Sequence, residues 1–139
     1  MATSNFDDVQ TTIRTRFNAQ FATAQPTYTI MQQNDVPREV DGDDKFVRLN
    51  IIPADSELKG LGTLRLFRDY GLIKVQMYAP LGEGIGELME VADDVRDIFM
   101  CLTASGVTYR TPYVTIVGES GSHFQVNVTV PYFSSFTAT

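Results

Sequence analysis

Residues 72–102 read LIKVQMY-APLGEGIG-ELMEVADDVRDIFMCL: a strand, a glycine-rich turn and an amphipathic helix in one uninterrupted unit. The strand is Leu72–Tyr78, and the helix runs from about Glu87 to Leu102. Leu88, Val91, Ala92, Val95, Ile98, Phe99 and Leu102 recur at the spacing of one buried helical face, while Glu87, Glu90, Asp93, Asp94, Arg96 and Asp97 fill the rest. Carboxylates early in the helix suit its positive N-terminal dipole. Each large apolar side chain buried there contributes about 2 kcal/mol, an upper figure because the unfolded chain already hides part of that area. The helix is therefore expected to clamp a neighbouring sheet.

A strand, glycines and a helix in that order are also the outline of a phosphate-binding loop. The details differ from one. A dinucleotide site wants Gly-x-Gly-x-x-Gly, an acidic residue about twenty positions on and further strand–helix–strand units. Here the spacing is Gly82, Gly84, Gly86, and Glu83 inside the loop would repel a pyrophosphate. No Lys-Ser or Lys-Thr pair follows Gly86, so the Walker pattern fails as well. The glycines read as a conformational device that frees the strand-to-helix connection for positive φ and close approach of backbone. Gly84→Val is accordingly expected to disrupt this turn and lower soluble yield.

The rest of the composition gives chemistry little to work with. The chain has 139 residues, 43% hydrophobic and 20% charged, which fits a single domain with its own core. Net charge is −6, and the basic residues Arg14, Arg16, Arg38, Arg65, Arg68, Arg96 and Arg110 are scattered, which argues against ordinary nucleic-acid binding. Cys101 is the single cysteine, so neither an internal disulfide nor a thiolate zinc cluster is available. Its place beside Leu102 in the helix predicts a partly buried, inert thiol. His123 is the single histidine and reads as a turn residue, too isolated to anchor a triad. The pairs Asp7-Asp8, Asp43-Asp44 and Asp93-Asp94 are neighbours along the chain, about 100° apart where helical, and so are not acid/base dyads. Glu39, Asp41, Asp43 and Asp44 gather around Gly42 without the order of an EF-hand loop and read as solvated. No catalytic, cofactor-binding or metal-binding residue is assigned, and the chain is read as a non-enzyme. Neither a secretory leader nor an apolar run approaching ~18 residues is seen, so synthesis and folding in a cytoplasm are expected, with no membrane contact.

Outward from the central unit, Ser4 to about Phe21 reads as a first helix, capped by Ser4 with Asp7 three residues on, and Phe6, Val9, Ile13, Phe17 and Phe21 share one face. Gln25-Pro26 ends it. Tyr28–Met31 is a short strand, Gln32–Asp44 a loop, and Phe46–Ile52 a strand with Val47, Leu49 and Ile51 on one side. Pro53–Gly60 reads as a polar connection, and Leu61–Phe67 as pairing with Leu72–Tyr78 across a turn at Arg68-Asp69-Tyr70-Gly71. Ser105-Gly106 reads as a helix stop. Tyr113–Val117 and His123–Tyr132 form a second hairpin across Gly118–Ser122, with Phe124, Val126, Val128 and Val130 inward and Gln125, Asn127 and Thr129 on a wet face. The class is α+β, a mostly antiparallel twisted sheet packed against two helices. Tyr109, Tyr113, Tyr132, Phe133 and Phe136 read as core and interface aromatics. Residues 133–139 of the single 1–139 domain read as a candidate assembly tail, since exposed aromatic ends and wet strand edges imply another chain.

Four stretches resemble one known family. Arg16-Phe17-Asn18-Ala19-Gln20-Phe21 is followed by Tyr28-Thr29-Ile30 and Asn34, and then by Lys45-Phe46-Val47-Arg48-Leu49-Asn50-Ile51. Phe67-Arg68-Asp69-Tyr70-Gly71-Leu72-Ile73-Lys74-Val75-Gln76-Met77-Tyr78 and Pro80-Leu81-Gly82-Glu83-Gly84, leading to Ala92-Asp93-Asp94 and Phe99, complete the pattern. Together they resemble the tail terminator, or tail-completion, proteins of long-tailed bacteriophages. The resemblance implies a virion structural protein made in the host cytoplasm. Its subunits would form a hexameric ring that caps the tail tube and joins tail to head, touching the tail tube protein and head–tail connector or neck proteins. DNA would pass through the lumen without specific binding, over a surface whose acidity lets the polyanion slide. The same resemblance leaves a neck or connector protein as the alternative, with a small nucleotide-binding module behind it.

Overall fold

The computed structural model describes residues 6–32, 44–60, 65–82 and 85–138. The chain order is α1 (Phe6–Ala24), β1 (Thr29–Gln32), β2 (Phe46–Gly60), β3 (Arg65–Pro80), α2 (Gly86–Phe99), β4 (Thr103–Ala104), β5 (Val107–Tyr109), β6 (Tyr113–Ser120) and β7 (His123–Ala138). All strands belong to one curled sheet in the order β1-β2-β3-β7-β5-β4, with β6 also pairing with β7. The β1–β2 pair is parallel and every other pair is antiparallel. The expected α+β class is the observed one.

The core forms where period-2 and period-3.6 patterns meet. Val47, Leu49 and Ile51 of β2, Ile73, Val75, Met77 and Ala79 of β3 and Val126, Val128 and Val130 of β7 face the helices. Against them lie Leu88, Val91, Ala92, Val95, Ile98 and Phe99 of α2 and Val9, Ile13, Phe17 and Phe21 of α1. Phe17 stacks on Phe21 at 5.0 Å and on Phe99 at 6.2 Å, and Phe99 meets Tyr109 at 5.0 Å, so one aromatic column ties both helices to β5. Arg16 fastens the same junction: its Nε and Nη2 donate to the Ile98 carbonyl at 2.9 and 2.7 Å, at the negative end of α2. Phe6 was expected on the buried face of α1 but is 60% exposed, because it sits on the first residue of that helix, ahead of the core. The Ser4 cap and the acidic residues Glu39, Asp41 and Asp43 lie outside the described residues.

Three strands are much longer than the sequence pattern suggests. No turn exists at Arg68–Gly71, because β3 runs straight through it and Pro53–Gly60 is strand. The hairpin connects β2 to β3 instead, its strands closing at Gly60 opposite Leu66. Nor do residues 133–138 trail away as a tail: they continue β7 and pair with β3 from Tyr70 to Arg65. Beyond Gly71 the ends of β2, β3 and β7 run on together, with β5 still paired to Phe133 and Ser134, and past Ser134 they form a three-stranded arm. Phe67 stacked on Phe136 at 5.2 Å and Arg68 over the Phe133 ring at 4.3 Å hold it.

Gly71 is the pivot between core and arm. Its registered neighbours are Pro53 on one side and Tyr132 on the other, and a bulge in β2 follows between Pro53 and Ser56. A Cβ at Gly71 would lie 2.5 Å from Cζ and the hydroxyl of Tyr132. The tyrosine ring thus lies over the bare glycine backbone, an aromatic covering a gap that only glycine leaves.

Two smaller readings also change. The helix α2 ends at Phe99, with Met100 extended, so Leu102 packs on the core from a connection rather than from a helical face. Ser105 and Gly106, at φ 53° and 84°, form the two-residue turn of the β4–β5 hairpin and stop no helix.

Candidate assembly surface

The glycine turn contains no cation. Beside it lies a hollow of about 420 Å³ lined by Pro80, Leu81, Gly82, Ile85, Glu119 and Phe124, mostly apolar and with one carboxylate. A phosphate would meet no positive side chain there, and Glu119 would repel it. Gly82 does hold φ +91°, so the conformational role expected for this turn fits that position; Glu83 and Gly84 lie outside the described residues. Gly82→Ala should lower stability by about 1–2 kcal/mol through left-handed strain alone, since a Cβ there meets open space. Denaturant midpoints at unchanged slope measure it.

His123 is buried rather than on a turn surface. It opens β7 beneath Phe46, whose ring meets it edge-on at 5.3 Å. Its Nε2 lies 2.9 Å from the Asp44 carbonyl, which only accepts, so the ring proton sits on Nε2 and Nδ1 faces the Ser122 hydroxyl at 3.2 Å. Serine, histidine and aspartate meet here, yet the aspartate offers its backbone oxygen, and the geometry anchors the loop end instead of polarising a nucleophile. Cys101 also departs from expectation: it is exposed, just past α2 at φ 45°, with Sγ 3.3 Å from the Thr111 hydroxyl. Among the described residues no group of three or more His, Cys, Asp or Glu is placed to hold a metal ion. A groove of about 370 Å³ between α1 and the β4–β5 turn is lined by Thr11, Thr15, Arg16 and Tyr109, but its one cation is committed to the Ile98 carbonyl.

Facing away from the helices, the sheet is polar but not simply wet. Gln125, Asn127 and Thr129 are buried, because β7 is flanked by β3 and β6 inside the curl of the sheet. Amides satisfy one another along this face: Gln125 Nε2 donates to Asn127 Oδ1 at 2.9 Å and Asn50 Nδ2 to Gln76 Oε1 at 3.1 Å. Tyr132, on the helix side at the pivot, has its phenol pushed up to about 12 by burial first, then by Asp69 and Tyr109. A folded-state value above the ordinary one near 10 means that the native protein holds the proton longer than the unfolded chain. This contribution is complete below pH 10 and is lost as pH rises from about 10 to 12. Urea midpoints across that window should fall more steeply for the wild type than for Tyr132→Phe; equal slopes would refute the assignment.

What remains conspicuous is apolar surface on a strand edge. Among the described residues β6 pairs with β7 alone. Tyr113, Val114, Ile116 and Val117 are 53%, 38%, 55% and 49% exposed, with no charge before Glu119. Leu81 and Ile85 carry the patch on past the end of the strand. Sequence alternation placed this strand correctly, but which of its edges is paired is decided by sheet order, which alternation does not encode.

Comparison with known proteins agrees with a structural reading. No curated protein matches the chain. Of 24 matching chains among solved structures, one aligns with a TM-score of 0.64 over 94% of this chain and 98% of its own, at 18% identity, which is a likeness of fold alone. The family model described as phage tail terminator protein matches residues 9–132, from the first buried residue of α1 to the tyrosine at the pivot of the sheet. With that match covering most of its length, the chain belongs to the phage tail terminator family.

Proposed function

We propose that this protein is a non-enzymatic ring subunit that caps the finished tail tube at the head-proximal end of the virion and joins tail to head. Its family supports a structural role in a bacteriophage tail, and the match over residues 9–132 is the single observation that carries the proposal. The ring, six-fold as first expected, contacts the tail tube protein on one side and connector or neck proteins on the other. DNA traverses its lumen without specific contacts. The described residues are consistent with work done through shape: Arg16 and His123 are engaged in anchoring, and Tyr113, Val114, Ile116 and Val117 expose apolar surface along a strand edge. The sheet arm, to which residues 133–138 contribute one strand, is an assembly element in this proposal.

Electron microscopy of the purified protein mixed with tail tubes of its phage tests this. Rings should seat on one end of the tube. Density at the neck with a bare tube end would favour the connector alternative, and a monomer that ignores tubes would end the proposal.

A further inference from the structure

We infer that the acidic outer stripe of α2 docks on the carboxylate-free face of the sheet in a second copy of this chain. The inference rests on the ring proposed above and names the two surfaces that join its subunits.

Charge is divided between the two sides of the molecule. On α2, five carboxylates stand against one cation, Arg96. Glu87 is committed to Lys45 and Asp94 to Gln25. Glu90, Asp93 and Asp97 are exposed, recur at i, i+3 and i+7 on the side away from the core, and form no hydrogen bond or ion pair among the described residues. Like charges at that spacing repel one another, so the stripe burdens the isolated helix and an opposite surface would relieve it.

On the other side of the sheet the sign reverses. The strand segments 46–52, 72–78, 113–118 and 123–131 contain no aspartate or glutamate, in a chain whose net charge is −6. Alternation against the buried rows puts Arg48, Asn50, Lys74 and Gln76 together on the face turned from the helices, with Arg48 opposite Gln76 and Lys74 opposite Asn50. Arg48 is exposed and Lys74 half-buried, and neither has an ion pair among the described residues. Ile52 and Tyr113, 41% and 53% exposed, border this face, and Met100, 41% exposed, follows the acidic stripe at the end of α2. Apolar surface therefore accompanies the charge on both surfaces. From Glu90 to Asp97 the helix rises about 10 Å. Arg48 and Lys74 lie on adjacent strands about 5 Å apart, two residues out of register, so one stripe spans both cations.

Topology makes the contact directional. The stripe and the basic face lie on opposite sides of one sheet, so no two-fold dimer brings both into a single interface. Each copy instead offers its face to α2 of one neighbour and its own α2 to the next, a head-to-tail contact that repeats until it closes. In the joint the sheet is covered on both sides, by its own helices and by the neighbour's α2, a stable order of layers.

Charge reversal on one surface at a time tests this. The sheet variant carries Arg48→Glu and Lys74→Glu, the helix variant Asp93→Lys and Asp97→Lys, and unchanged thermal melts verify folding. Each alone meets itself with like charges, and its ring signal in native mass spectra should fall at least about tenfold. An equimolar mixture should restore the ring with the variants alternating, because the reversed sheet of one answers the reversed helix of the other. Full ring formation by either variant alone, or no recovery in the mixture, would overturn the inference and leave the ring itself intact. If the sheet variant keeps its rings and loses affinity for double-stranded DNA, the face belongs to a polyanion and the inference fails. Wild-type rings supply a second measure that needs no variant. A zero-length carbodiimide should couple the Lys74 amine to Glu90, Asp93 or Asp97 of a different copy, identified by mixing isotopically labelled and unlabelled protein. Lys74 coupled only to other carboxylates, or to none, would contradict the inference. Absence of rings and of tube binding in the wild type would instead remove the functional proposal on which it rests.

Discussion

Gly71→Ala should lower the unfolding free energy by about 3 kcal/mol, at the upper end of what overpacking one methyl group into a filled site costs. Most glycine-to-alanine changes in a strand are harmless or helpful, because alanine restricts the unfolded chain. Here the new methyl would sit 2.5 Å from two atoms of the Tyr132 ring, and that ring is buried where β3, β7 and β5 meet. Neither strand can yield: Gly71 is hydrogen-bonded between β2 and β7, and Tyr132 between β3 and β5. Relief would have to come from swinging Tyr132 out, which forfeits its burial. Urea titration of both proteins measures the difference, and a shift within 0.5 kcal/mol (roughly the noise for a surface site) would mean that the tyrosine can repack.

Phe99→Ala should cost about 4 kcal/mol, within the range for deleting a buried aromatic ring. Phe99 is fully buried and links Phe17 of α1 to Tyr109 of β5. Removing it empties the middle of the aromatic column, and α1 would remain attached chiefly through Arg16 and the flanking aliphatic contacts. Phe99→Leu should recover more than half of the loss by refilling the space. A cost below about 1.5 kcal/mol for alanine would place the column outside the stabilising core.

How much of this was legible from sequence depended on whether a segment has one buried face. Both helices and the inward rows Val47, Leu49, Ile51 and Val126, Val128, Val130 were readable because burial on one side enforces their period. The arm was not. From Pro53 to Lys59 the residues are exposed, so no alternation is imposed, and Pro53, Asp55, Ser56 and Glu57 mimic a loop. Arg68-Asp69-Tyr70-Gly71 likewise imitates a hairpin turn, although its glycine is there to admit a tyrosine from β7, a contact 61 residues away in sequence. The same gap misplaces residues 133–138, whose first partners Tyr70, Asp69 and Arg68 fall in the stretch that reads as a turn. His123 looked like a surface residue because its burial comes from Phe46 and Asp44, which local pattern does not connect to it. Composition led to no site assignment, and it gave no sign of the edge that stands out, since exposure of β6 depends on which strands stop short of it.

The most direct measurement is native mass spectrometry of the purified wild-type protein, followed by imaging with tail tubes. Closed rings of a single stoichiometry that seat on one tube end are the expected result. Monomers at every concentration, with both tube ends left bare, would contradict the view that this chain acts by joining copies of itself.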